Sequence, residues 1–341
     1  MLQTPGVASA ILFQGREITE LSGSLLSTVT QIMDRGQNTN SYKFALLRSL
    51  AAFGIQHGNG EEVISREWLA ERFIEFYWPI TVRFQIRQAT VLDKDPVVMK
   101  FIRNETNELG LPPEMPLRRY RDQHSDRYGE LVARTAGNAF DDVIPRFHTV
   151  ARRKIKPRLY KIDGEDIIIG KKQRMFLREN HKTLDLLAVG AWVKFTESFT
   201  SAPRLYEKIQ GLEPTRSTLT RYRNFLLSWG EPSCFYCSEP VRNNSDVDHV
   251  VPWSFIAEDK IWNLVLACDQ CNGDKLSATP ADMFINKLNE RNHQLLEVGD
   301  DNILDAKIRK ELAEWRGRDL AEHIWMLVNR CRADGFGTWG P

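Results

Sequence analysis

Cys234-Phe235-Tyr236-Cys237 and, about thirty residues on, Cys268-Asp269-Gln270-Cys271 set four thiols in two C-x-x-C knuckles. Four thiolates suit Zn²⁺, which takes tetrahedral sulfur sites and makes no geometric demand of its own. The gap between the knuckles is longer than in a plain zinc ribbon, so the chain builds something inside it. That insert runs from Asp246-Val247-Asp248-His249-Val250-Val251-Pro252-Trp253-Ser254 to Asn263-Leu264, with Cys271-Asn272 and Lys275 behind it. An imidazole can take a proton at neutral pH, and carboxylate and amide oxygens are hard ligands that favour Mg²⁺ or Mn²⁺. The pattern predicts a short apolar strand carrying Asp248 and His249, a turn, a second strand with Asn263, and a helix starting near Cys268. Adjacent strand residues point to opposite faces, so Asp248 and His249 share a site only where twist or a bulge turns a strand end. Two blander readings compete: buried cysteines pack well without metal, and a lone Asp-His pair is usually structural.

The run D-H-x-x-P-x-S, then N-L, then C-x-x-C-N-x-x-K resembles the HNH (ββα-metal) nuclease motif in its zinc-bound form. The resemblance implies a structural Zn²⁺ on Cys234, Cys237, Cys268 and Cys271. It implies His249 as general base, with Asp248 and Asn272 holding one catalytic Mg²⁺ or Mn²⁺. Asn263 would hold the His249-bearing strand by a side-chain to backbone hydrogen bond, and Lys275 would reach a phosphate. The family often has His where Asn272 stands, and that departure bears on the choice of metal. The implied function is a metal-dependent DNA endonuclease or nickase. The alternatives are a zinc-ribbon nucleic-acid binder without catalysis and an RNA-cutting toxin effector.

These residues need elements to hold them. Helices are predicted over 18–33, 42–57, Arg66 to Tyr77 behind a Ser65 cap, 95–109, 173–200, 216–228, 280–293 and 303–330. Trp78-Pro79 should stop the Ser65-capped helix. Val143 to Phe147, Arg158 to Ile162 and Asp166 to Gly170 look like short strands, with Asp163-Gly164 as a hairpin turn. Trp229-Gly230-Glu231-Pro232 separates residues 1–229, a mostly helical regulatory or targeting domain, from the nuclease-like domain with C-terminal helices at 230–341. The fold expected is mainly α, with a short β-hairpin in the N-terminal domain and a small α+β zinc-stapled domain at the C-terminal end.

The net charge is only +1, so a DNA-binding surface must come from local clustering. Arg146, Arg152, Arg153, Lys154, Lys156, Arg158 and Lys161 form such a cluster, with no acid among residues 146–161 and with Phe147 and Tyr160 interleaved. Arg152, Arg153, Lys154, Lys156 and Arg158 are the candidate DNA contacts, against the plainer reading of a solvated hairpin face. Tyr42 to Leu50 and Phe76-Tyr77-Trp78-Pro79-Ile80 resemble the N-terminal region of bacterial HNH proteins found among phage-defence genes, including the effector of type II Zorya systems. That resemblance implies other defence subunits as partners. One HNH site cuts one strand, so a monomer would nick and a homodimer would make double-strand breaks.

No stretch approaches the roughly 18 consecutive apolar residues of a membrane span. The apolar patch Val7 to Phe13 has no basic segment before it, unlike a secretion signal. The expectation is a cytoplasmic protein with no membrane insertion of its own, in a compartment that keeps its five cysteines reduced. Cys331 stands apart and reads as packing, and His148, His181, His293 and His323 lack ligand spacing.

Overall fold

The computed structural model describes residues 6–36, 38–56, 60–91, 94–112, 115–211, 218–229, 232–241, 245–298 and 305–340, with the backbone alone for 6–19. Gly230 and Glu231, at the expected domain junction, lie outside the described residues. The chain divides into two compact units, Met1–Phe199 with Lys208–Gly211 and Thr200–Glu207 with Leu212–Pro341.

The first unit contains α1 (Gly6–Arg35), α2 (Tyr42–Gln56), β1 (Glu62–Ile64), α3 (Arg66–Trp78), α4 (Val97–Glu108), α5 (Leu117–Gln123), α6 (Ser125–Asn138), α7 (Val143–Arg146), β2 (Thr149–Val150), β3 (Arg153–Lys154), β4 (Lys161–Asp163), β5 (Asp166–Ile169) and α8 (Lys171–Glu197). The division falls within α9 (Leu205–Gln210). Helix α2 is apolar on nearly every side: Phe44, Ala45, Leu46, Leu47, Leu50 and Phe53 are all buried. A helix of that kind belongs at the centre of a bundle. Helix α8 runs against it at close range, because a Cβ on Gly54 would stand 2.7 Å from the Leu177 carbonyl carbon. The buried Arg48 of α2 is satisfied by Asp185 at 2.9 Å and by the Ile209 carbonyl at 3.0 Å.

Ser65 caps α3 by accepting from the Trp68 amide at 3.2 Å. The chain does not stop at Pro79 as expected; it continues as one π-helical turn, Pro79–Arg83. The Pro79 carbonyl accepts from the Phe84 amide at 3.0 Å, and the Thr81 hydroxyl donates to the Tyr77 carbonyl at 2.7 Å. The wider turn absorbs the amide that proline lacks. Residues 143–146 are helical rather than extended: Pro145 sits in a first turn, where amides have no intrahelical partner in any case.

There are two hairpins rather than one. Strands β4 and β5 pair antiparallel about Gly164, whose φ is +56, and β1 adds to the other edge of β5. Strands β2 and β3 pair Val150 with Arg153, leaving Ala151 and Arg152 as a two-residue turn with φ of 47 and 65. That backbone is the left-handed type that two-residue hairpins favour.

The second unit contains α10 (Thr220–Ser228), β6 (Asp246–His249), α11 (Trp253–Ile256), β7 (Leu264–Ala267), α12 (Asp269–Lys275), β8 (Thr279–Pro280), α13 (Asp282–Glu297), α14 (Ala306–Ala313), α15 (Leu320–Ala333) and β9 (Thr338–Trp339). The helix expected over 303–330 is broken at Gly317, with φ of +70, and restarts where Asp319 accepts from the Glu322 amide at 2.8 Å. One core cluster joins Tyr222 and Leu226 of α10, Leu264 and Leu266 of β7, Leu295 of α13, and Ile308 and Leu312 of α14. The β6–β7 hairpin is thus backed by helices from both sides of it in sequence. The architecture is mainly α with small sheets, and no described helix is long and apolar enough to cross a membrane.

Candidate active site

The two knuckles are shaped by backbone before any metal enters. Ser238 takes φ of +64, the Cys234 amide donates to the Glu239 carbonyl at 2.8 Å, and the Ser238 amide to the Cys234 carbonyl at 2.9 Å. The Phe235 amide donates to the Leu266 carbonyl at 2.8 Å, which ties the first knuckle to β7. In the second knuckle, Cys268 is the N-cap of α12 and its sulfur accepts from the Cys271 amide at 3.5 Å. The ligand atoms of Cys234, Cys237, Cys268 and Cys271 all lie within 4.8 Å of one another. The Cys237 and Cys268 sulfurs are 3.8 Å apart. Tetrahedral Zn²⁺ with bonds of about 2.3 Å needs sulfurs about 3.8 Å apart, so the cluster fits it. Burial and the neighbouring sulfurs push the Cys271 thiol well up, since four thiolates this close repel; a divalent cation reverses that balance.

Strands β6 and β7 are antiparallel with Asp246 opposite Ala267, Asp248 opposite Val265 and His249 opposite Leu264. Helix α12 follows directly, so the unit is a ββα module with cysteines at both ends of it. Two rungs join strand to helix. The Asn272 amide donates to Asp246 at 2.8 Å, and the Lys275 ammonium lies 3.1 Å from Asp248. The spacing explains this: residues two apart share a strand face and residues three apart share a helix face. Asp248 also accepts from the Tyr236 hydroxyl at 2.5 Å, and Lys275 donates to the His249 carbonyl at 2.8 Å.

Asn263 ends a short 3-10 turn, Ile261–Asn263, just before β7 rather than lying within the strand. It is fully buried and grips Val251 twice: its Oδ1 accepts from the Val251 amide at 2.7 Å and its Nδ2 donates to the Val251 carbonyl at 2.9 Å. The Val250 amide adds a bond to the Asn263 carbonyl at 2.9 Å. The chain is therefore clamped within two residues of His249. The His249 side chain is 8 % exposed, and its Nε2 lies 2.9 Å from an Asp259 oxygen, on a carboxylate 7 % exposed. Among the described residues, nothing is hydrogen-bonded to Nδ1.

Several expectations change. Lys275 is not presented to a phosphate; it is 1 % exposed and its ammonium is spent on Asp248 and the His249 carbonyl. Asn272 and Asp248 stand on neighbouring rungs, each with its own partner. The sequence reading missed Asp246, Tyr236 and Asp259. Asp246 was legible from its i,i+2 relation to Asp248, whereas Asp259 lies in a loop without periodicity. In the first unit, Arg152, Arg153, Lys154, Lys156, Arg158 and Lys161 are all exposed, and no carboxylate pairs with them among the described residues. Phe147 and Tyr160 are buried, so they serve the core and not a nucleobase. His148 is structural: burial holds it down at about 3, and its Nε2 accepts from the Leu159 amide at 3.0 Å.

Residues 234–281 match the family model of an HNH endonuclease. Residues 22–146 match a family model described as a domain of unknown function (DUF8808). No curated protein and no solved structure matches the chain. An HNH domain acts on nucleic acid and supports nuclease activity. The second compact unit thus carries, at residues 234–281, an HNH endonuclease domain with a four-cysteine cluster suited to zinc.

Proposed function

We propose that the chain is a metal-dependent DNA endonuclease or nickase, with His249 as general base, and that it acts in bacterial anti-phage defence. The observation that carries the chemistry is His249 itself, clamped through Asn263 and engaged at Nε2 while Nδ1 is unpartnered among the described residues. In the reaction, Nδ1 takes a proton from water as the water oxygen bonds to phosphorus. The bond from phosphorus to the 3′ oxygen breaks, and that oxygen leaves with the electron pair and collects a proton from solvent. The defence setting rests on the resemblance of Tyr42–Leu50 and Phe76–Ile80.

Asp248 and Asn272 fit a divalent cation. Asp246 holds the Asn272 amide nitrogen and so turns Oδ1 outward as a hard donor. The Asp248 carboxylate has more acceptor positions than Tyr236 and Lys275 use. When bound, Mg²⁺ or Mn²⁺ supplies charge neutralisation at the phosphorane and at the leaving oxygen. Lys275 acts within this arrangement as the internal counter-ion of Asp248.

Incubating the purified chain with supercoiled plasmid, single-stranded DNA and RNA tests the reading. Nicked plasmid is expected with Mg²⁺ or Mn²⁺ and none with EDTA. Cleavage of RNA alone selects the toxin reading, and binding without cleavage of any of the three selects the zinc-ribbon binder.

The β2–β3 turn supplies a DNA contact in this proposal, because its cations are exposed and unpaired. Each phosphate contact contributes about −0.9 to the slope of log affinity against log salt. Reversing Arg152, Arg153 and Lys154 to Glu is expected to weaken duplex binding and flatten that slope by up to about 2.7. Fluorescence anisotropy across a salt series reads this directly. An unchanged slope in folded protein returns the segment to a solvated hairpin face.

A further inference from the structure

The loop between α11 and the 3-10 turn is held in place more firmly than a connector requires. Ala257 takes φ of 55 and its carbonyl accepts from the Arg204 guanidinium at 2.9 Å. The Tyr222 hydroxyl lies 3.0 Å from the Asp259 carbonyl and 2.5 Å from the Glu311 carboxylate. The other oxygen of Glu311 accepts from the Ile261 amide at 2.9 Å. Lys260 pairs with Glu314 at 2.9 Å. Helices α10 and α14, which come from opposite ends of the unit's sequence, therefore fix the backbone on both sides of Asp259. The side chain they place carries a carboxylate 7 % exposed, aimed at the His249 ring at 2.9 Å.

A buried carboxylate beside an imidazole has one economical role. It accepts the ring N–H, fixes the tautomer and ring angle, and steadies the imidazolium that forms when the other nitrogen takes a proton. A backbone carbonyl could orient the ring but would bring no charge to balance that cation.

We propose that Asp259 is the positioning residue of His249: it holds the proton on Nε2, assigns Nδ1 as the basic atom, and is itself set by Tyr222 and Glu311. This deepens the nuclease reading and rests on it for the rate effect alone. The hydrogen bond and the tautomer stand independently of what the protein cuts.

Two measurements on the zinc-loaded full chain test the proposal. In ¹⁵N-histidine-labelled protein, His249, assigned by comparison with His249→Ala, should show a slowly exchanging Nε2–H proton. Asp259→Ala should lose that signal with zinc content and melting profile retained. In the cleavage assay, Asp259→Ala should lower kcat by about 10- to 100-fold, the usual cost of removing a partner that orients a functional histidine, with KM within about two-fold. Tyr222→Phe, which keeps the ring in the core, should give a smaller loss of the same kind. If His249 carries its proton on Nδ1, or if Asp259→Ala keeps both the signal and kcat, the proposal is overturned. If no nucleic acid is cut by the wild type, the nuclease reading falls while the N–H signal still decides the role of Asp259.

Discussion

Replacing His249 with alanine lowers strand cleavage by about 10²–10⁴-fold, the usual cost of removing a general base, while leaving the domain folded and bound to DNA. The fold survives because the neighbouring bonds belong to the backbone and to other side chains. Asn263 grips Val251, and Lys275 reaches the His249 carbonyl, which alanine keeps. Asp248 makes an instructive contrast. Its carboxylate neutralises Lys275, whose side chain is 0 % exposed. Truncating it to alanine strands a buried ammonium, a change that typically costs about 3–5 kcal/mol. Asp248→Asn keeps the acceptors of Tyr236 and Lys275 in reach and is the informative variant. Its residual cleavage should rise with added Mg²⁺ or Mn²⁺, whereas that of His249→Ala should not. Plasmid nicking across a metal titration, with melting curves alongside, measures all three proteins. Wild-type rates from His249→Ala would remove the base assignment.

Purified chain should hold one zinc, and losing it should unfold the nuclease unit. Structural zinc contributes on the order of 10 kcal/mol to small sites of this kind. Here it joins parts that little else joins. The first knuckle hangs from β7 by the Phe235 amide, and the second forms the cap of α12 through the Cys268 sulfur. The metal thus fixes α12, with Asn272 and Lys275, against β6, with Asp246 and Asp248. Cys271→Ser, at a position 6 % exposed, should abolish zinc retention and remove the low-denaturant stability of this unit. Elemental analysis and denaturant melts of the full chain read both effects. Folded, zinc-free protein of wild-type stability would exclude a structural metal here.

The short motif carried a large share of the site because its spacings are tied to backbone geometry. Two C-x-x-C pairs flanking an Asp-His strand can close only if that strand and its partner form a hairpin, and the cysteines do converge. Helices with caps and clear breaks were legible too: Ser65 begins α3 where its hydroxyl meets the Trp68 amide. Pattern reading stumbled where one residue type serves two backbones. Pro79 marks a stop in most helices, yet here a π turn and the Thr81 hydroxyl repair the missing bond. Val143 to Arg146 has strand-like residues, and their burial beneath a short helix overrode that preference.

What the linear chain left open was every contact between residues far apart in it. Lys275 looked like a surface cation because helical spacing says nothing about which side a protein packs on; only the β6–α12 approach buries it against Asp248. Phe147 and Tyr160 alternate with cations in sequence, but the hairpin turns the rings inward and the charges out. Asp259 sits in a loop without period, 10 residues from His249 and 52 from Glu311, and no local rule connects the three. Local spacing determines the chemistry a segment can carry, since helix and strand periods act over a few residues. Which carboxylate meets which nitrogen is decided by the packing of α10 and α14 around one loop, an energy shared among distant side chains.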